Sequence, residues 1–343
     1  MSTTNGPRTV LGEPVRDDYD LVLAHEHVFL DLRSSLVEAA HGSDGAVGEV
    51  TRASADRIRS TNPFGYVANL VLDEDDLMCD ELDVLSGRRV LIIDVTPDTL
   101  GRSAERLAEL SRRTGVDIVT GCGPYVETSW PRWMHDLSQD QLTEQIVAQF
   151  SNERRPSVIG EVGVGSHLTE PESRSLRAAA AAQRELDVPL YVHISPWHPL
   201  GHEALDLVER EGADLERVVV CHLDVSVAAG VGYARSLLDR GCYIALDIWG
   251  NDATHGSRRL PTDEIRAAAT VALTTAGHGE RVLHSHDICT MTQLATFGGP
   301  GYGHLDDHGR ALLRDAGLDK GQVNQHLVQN PLRLLRGRGS QGE

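Results

Sequence analysis

Aromatic residues make up only 4% of this 343-residue chain, so its core must be aliphatic, built from Val, Leu, Ile and Ala. Paired cysteines are also missing. The five present, Cys79, Cys122, Cys221, Cys242 and Cys289, are odd in number, and no two are spaced as Cys-x-x-Cys. That argues against a disulfide framework or a zinc knuckle and predicts buried free thiols. No apolar run approaches the ~20 residues of a membrane-spanning helix. Positive charge is in deficit. A net charge of −19 repels phosphates, which argues against nucleic acid and anionic membrane as partners and leaves a small-molecule substrate. The opening MSTTNGPRTV has no apolar signal region, so a cytoplasmic location is expected. No repeat or low-complexity linker divides the chain, and residues 1–343 are read as one domain.

Eight short apolar runs are present: LVLAH (21–25), RVLIIDV (89–95), VDIVTG (116–121), SVIGEVG (157–163), VPLYVHI (188–194), RVVVCHL (217–223), CYIALDI (242–248) and RVLHSHD (281–287). Their near-continuous apolar character is that of parallel strands covered on both faces. Helical patterns lie between them. SAERLAELSRRTG carries Ser103 as N-cap and Gly115 as stop, and SQDQLTEQIVAQF opens on a Ser138–Gln141 capping box. DKGQVNQHLVQNP is expected to end before Pro331. Eight strands alternating with helices predict an α/β fold, a (β/α)8 TIM barrel more than an open sheet. The stretch 29–88 is read as an insertion over the barrel mouth, with a loop at AAHGSDGAVGEV and a helix over NPFGYVANLVLDEDDLMCDELDVLSG.

In such barrels the active site lies at the C-terminal ends of the strands. His25 and His27 end the first run, Glu161 the fourth, His193 the fifth, His222 the sixth and Asp287 the eighth. Residues i and i+2 of a strand share a face, so His25 and His27 point into one space and Glu26 points away. One such histidine is more often a satisfied core residue than a ligand. Four imidazoles and two carboxylates at one mouth would cost several kcal/mol to bury without a cation. The set therefore predicts metal. The number of ligands suggests two divalent ions: His25, His27 and Asp287 around one, His193 and His222 around the other, and Glu161 bridging. Imidazole with carboxylate suits Zn²⁺, and also Mn²⁺, Co²⁺ or Fe²⁺. Two close ions acidify a shared water and yield a hydroxide nucleophile.

These motifs, HEH, VIGEVG, VHI, CHLD and HSHD, resemble those of the phosphotriesterase family of the amidohydrolase superfamily, and nearest those of its phosphotriesterase-related branch. The similarity runs through TGVDIVTGCGPYV, GCYIALDIWG, GGPGYGH and VQNPLRLL. It implies a distorted (β/α)8 barrel with a binuclear centre. In that frame His25, His27, His193 and His222 are ligands, and Asp287 both binds metal and shuttles a proton. Glu161 stands where many members carry a carboxylated lysine. The family also implies the possibility of a homodimer. HISPWHPLG departs from the pattern: it carries Trp197 and His198 where amidase-like relatives have an arginine-bearing loop, which speaks against an anionic acyl-taurine substrate.

Other residues are weighed against structural roles. Tyr125 either reaches a substrate carbonyl or is simply packed. Asp224 is expected to orient a ligand or a substrate group. Trp197 and Trp249 are expected as pocket walls. Arg258 and Arg259 either meet a substrate anion or, as the preferred reading, lie in a solvated loop; His286 is read as outward-facing and His284 as core. The expected function is a metal-dependent hydrolase in which the bridging hydroxide attacks a lactone, carboxylic ester or N-acyl amide. The alternatives are a phosphotriester hydrolase and, from another class, a non-catalytic metal-binding barrel.

Overall fold

The computed structural model describes residues 6–36 and 48–337. Most of the expected loop AAHGSDGAVGEV lies outside them. All eight apolar runs are strands: β1 (Leu21–Glu26), β2 (Val90–Asp94), β3 (Asp117–Thr120), β4 (Ile159–Val164), β5 (Leu190–Ile194), β6 (Val218–Val220), β7 (Tyr243–Leu246) and β8 (Val282–His284). Every ladder between them is parallel, in the orders β1-β2-β3 and β4-β5-β6-β7-β8. Isolated hydrogen bonds join the two arcs. Ser157 N donates to Thr120 O at 2.8 Å on one side, and Asp287 N to His25 O at 3.3 Å on the other. The result is a distorted α/β barrel. Its strands are buried along almost their whole length, so apolar residues occupy both faces.

Helices follow the strands as their caps dictate. Ser103 and Gly115 bound Ala104–Thr114, and Ser138 with Gln141 forms a reciprocal capping box before Gln139–Gln149. Two expectations are corrected. Within residues 62–87 only Asp75–Asp83 is α-helical; Pro63–Gly65 and Val67–Leu70 are tight turns, and Val71–Leu72 pairs antiparallel with Leu30–Asp31. Pro63 and Gly65 disfavour an α-helix there, and the buried Asn69 side chain ties the turns by donating to Pro63 O at 3.0 Å. The last helix does not stop before Pro331. Lys320–Asn324 runs through a widened turn, Gln325–Gln329, into Asn330–Arg336. Proline has no N–H to give, and the widened turn accommodates it.

Two irregular strands bear on the site. The β1–β2 register shifts between Leu23 and Glu26, and the β4–β5 register shifts between Ile159 and Val162. Such bulges re-aim side chains. At the second, Gly160 has φ +127°, and a Cβ there would lie 2.7 Å from Tyr191 Cβ, so only glycine fits. The following residue is Glu161.

Candidate metal centre

The strand ends bring His25, His27, Glu161, His193, His222 and Asp287 together at the barrel mouth. Glu161 is central. Its Oε1 lies 3.4 Å from His27 Nε2, and its Oε2 lies 3.5 Å from His25 Nε2, 3.2 Å from His193 Nδ1 and 3.3 Å from His222 Nε2. Asp287 Oδ1 lies 3.2 Å from His27 Nε2 and 3.6 Å from His25 Nε2. Two donor groups contain Glu161, His25–His27–Glu161 and Glu161–His193–His222, with one donor atom from each residue lying within 4.8 Å of the others; His25, Cys221 and Asp247 are gathered as closely.

The donor chemistry fits two cations. His25 is wholly buried, and its Nε2 has no hydrogen-bond partner among the described residues although it faces two carboxylates. A buried donor or acceptor left so is costly unless something else fills its coordination. The sequence's one lysine, Lys320, is exposed in the helix Lys320–Asn324, so no lysine reaches the position Glu161 holds.

The electrostatics point the same way. Burial opposes charge on His25, yet the Asp247 and Glu161 carboxylates outweigh it and raise its pKa. Burial likewise opposes charge on His27, but Asp287 and Glu161 lift its pKa to about 10. His222 is raised by Asp247 and Asp287 against the same penalty. At His193 burial prevails, and its pKa falls. Burial would raise Glu161, but His193 and His25 hold it well below the usual carboxylate range. A field that draws protons onto three buried imidazoles will also draw a divalent cation.

Asp247, which follows β7, was not among the expected site residues. Its Oδ2 lies 3.0 Å from His25 Nδ1 and its Oδ1 lies 3.0 Å from His222 Nδ1. One carboxylate thus backs an imidazole from each donor group and leaves both Nε2 atoms facing Glu161. Its signal in the sequence was an acid inside the apolar run CYIALDI. His222 and Asp287 also share an unusual backbone, with φ of 61° and 49°. Non-glycine residues in this left-handed region are uncommon and cluster at functional sites.

Three expectations are corrected. Trp249 is not a pocket wall; it is fully buried, and its Nε1 donates to His284 Nδ1 at 3.0 Å. Asp224 touches neither donor group. It pairs with the buried Arg266 at 2.6 Å and accepts from the backbone N–H groups of Asp247 and Ile248, so it shapes the turn that carries Asp247. His286 does not face outward; it is buried, and its Nδ1 lies 2.7 Å from Glu26 Oε1 while its Nε2 accepts from Leu305 N. Glu26 points away from His25 and His27 as expected, but into this second buried network.

Above the centre lies a cavity of about 90 Å³. Trp197 lines it, as expected, and so does Tyr125, for which packing was the equal alternative. Leu30, Leu32 and Phe64 reach it from the insertion, and Leu100, Ile248 and Leu260 come from other loops. Tyr125 Oη lies 3.3 Å from His193 Nε2, and burial with the Glu161 and Asp287 charges keeps its hydroxyl protonated. Cys289 and His255 also line the cavity; burial lowers the His255 pKa to about 4. Among the described residues, neither arginine nor lysine lines it. Nor is any helix among them long and apolar enough to cross a membrane.

Residues 8–335 match the model of the phosphotriesterase family. The chain is 27% identical to an N-acetyltaurine hydrolase of Danio rerio over 98% of its length and 99% of that protein. Among solved structures it resembles a resiniferatoxin-binding protein from Rhodobacter sphaeroides, with a TM-score of 0.92 and 33% identity over 97% of this chain and 95% of that one. It also resembles the phosphotriesterase homology protein of Escherichia coli, solved with phosphate in its active site, with a TM-score of 0.77 and 26% identity over 94% and 100% of the two chains.

Proposed function

The chain belongs to the phosphotriesterase family, and on that premise we propose that this hydrolase cleaves uncharged lactones and carboxylic esters, with His25, His27, Glu161, His193, His222 and Asp287 holding two divalent ions. The observation that carries the substrate class is the lining of the 90 Å³ cavity, which is mostly apolar and without arginine or lysine among the described residues. An anionic substrate such as N-acetyltaurine would bury its sulfonate there unpaired, at a cost of several kcal/mol. A neutral ester meets no such penalty. The imidazole and carboxylate donors suit zinc, with manganese, cobalt or iron as substitutes.

Bound ions would supply the positive charge that polarises a carbonyl and acidifies a water. The protein's own residues do the rest. Asp287 sits at the floor of the cavity, its side chain 16% exposed, so one oxygen can take the water's proton and return it to the leaving alkoxide. The protonated Tyr125 hydroxyl faces the same space and can donate to the carbonyl oxygen. The leucines and Phe64 exclude bulk water, which strengthens both interactions.

The test is a panel of an aryl ester, a lactone, an N-acyl taurine and a phosphotriester, run on protein reconstituted with Zn²⁺, Mn²⁺ or Co²⁺. Close to two ions per chain, ester or lactone turnover and its loss on chelation are expected. Turnover confined to the anionic amide or the phosphotriester would refute the substrate class. Elemental analysis finding no bound ion would refute the metal roles.

A further inference from the structure

Asp287 lies just beyond β8 with φ at 49°, in the left-handed region, where a residue other than glycine has to be held by its surroundings. Its N–H reaches His25 O at 3.3 Å. Its carbonyl oxygen accepts from Gln293 Nε2 at 2.9 Å. The other end of the same amide is engaged as well. Gln293 Oε1 accepts from Cys289 N and Thr290 N at 3.0 Å and from Thr290 Oγ1 at 2.9 Å. Two of those partners are backbone N–H groups, which can only donate, so the amide oxygen must face them and its NH2 must face Asp287. Gln293 is buried, and water does not compete for either end.

The turn that carries Gln293, Met291–Gln293, is itself gripped by the insertion. Thr292 N donates to Asn69 Oδ1 at 2.9 Å, and Arg59 Nη1 donates to Thr292 O at 2.8 Å. On the far side, Ala295 N and Thr296 N donate to the two oxygens of Glu81, each at 2.8 Å. Asn69 and Glu81 are buried. The chain is thus fixed before and after Gln293 from three elements of the insertion, Arg52–Thr61, Val67–Leu70 and Asp75–Asp83. Gln293 passes that grip on to the Asp287 carbonyl.

We propose that Gln293 is the positioning residue of Asp287: its amide locks the left-handed turn that aims the carboxylate at both donor groups, and the insertion anchors the turn from which Gln293 reaches. The inference rests on the reading of Asp287 as metal ligand and proton acceptor given above. Asp287 Oδ1 lies 3.2 Å from His27 Nε2 and Oδ2 lies 3.7 Å from His222 Nδ1, so its two oxygens face imidazoles of different donor groups. A small rotation of the turn spoils both alignments, and a misplacement of about 1 Å can cost roughly 100-fold in rate.

Gln293→Glu isolates the decisive bond. A glutamate that accepts from two N–H groups and a hydroxyl is held ionised, so it keeps the bonds to Cys289 and Thr290 and has nothing to donate to Asp287. Metal affinity of the full chain, measured by chelator competition, should fall by about tenfold or more. At saturating metal, kcat on the best ester or lactone should fall by about 10- to 100-fold while KM stays within about twofold. A side chain that only staples the loop predicts wild-type affinity and kcat for this variant, and that result overturns the proposal. Gln293→Met, which adds no charge, should lose affinity too. Where either variant fails to melt cooperatively the other is read, and where both fail Asn69→Ala, which frees the turn from the insertion, should still lower affinity; wild-type affinity in the folded variant overturns the proposal. If no ester or lactone is turned over, the substrate reading fails and the affinities alone decide the positioning. A wild type that binds no ion, or wild-type turnover in Asp287→Asn, removes the role of Asp287 and the inference with it.

Discussion

The two ends of the barrel neutralise their carboxylates in different ways. At the base, where the strands begin, the partners are arginines in water. Arg89 meets Asp18 and Asp20 at 2.9 Å, and Arg281 meets Glu216 at 3.2 Å. At the mouth, where they end, Glu161, Asp247 and Asp287 are paired with imidazoles, mostly out of water. A guanidinium never gives up its proton, so a carboxylate beside it is committed. An imidazole can, and then both partners are free to bind a metal. With a similar stock of acids, the base forms a solvated rim and the mouth forms a donor set.

The strongest way to break this contrast is Asp287→Asn. It keeps the shape but removes the proton acceptor, and kcat on the best ester or lactone should fall by about two to four orders of magnitude. Wild-type turnover would show that the proton leaves by another route. Asp247→Asn comes next. It removes the charge behind one imidazole of each donor group, so metal affinity measured by chelator competition should weaken by about 10- to 100-fold. Unchanged affinity would mean that Asp247 only packs. Arg89→Ala at the base should have the smallest effect, moving the thermal midpoint by no more than about 2 °C and by less in high salt. A large shift would place base and mouth on the same footing.

Much of this was legible in the chain. Strands buried on both faces are written as plain apolar runs, so the barrel could be read from eight of them. Histidine or acid at the end of a run stands out, which is why the six side chains at the mouth were found. The errors share a physical origin. An alternating strand does have an outer face, but in a barrel that face lies under helices and loops, so Glu26 and His286 are buried and bonded to each other instead of meeting solvent. Asp247 passed unnoticed because its run was read for its apolar residues. Trp249 and Asp224 flank the mouth in sequence, yet their partners His284 and Arg266 are 35 and 42 residues away, beyond any local pattern. The cavity lining was unreadable because it is assembled from several separate loops.

The left-handed backbone at His222 and Asp287 has a consequence for mutational reach. At most positions a substitution is judged by its side chain alone. At these two it must first tolerate a dihedral that a β-branched residue can scarcely adopt, and that aspartate and asparagine, glycine aside, enter most readily. A saturation library would therefore be filtered twice, once by conformation and once by chemistry. At Asp287 asparagine passes the first filter, which makes it a clean chemical probe, whereas valine or isoleucine would report mainly backbone strain. For a drifting lineage, few single steps away from either residue leave a folded loop in which a replacement ligand could later arise.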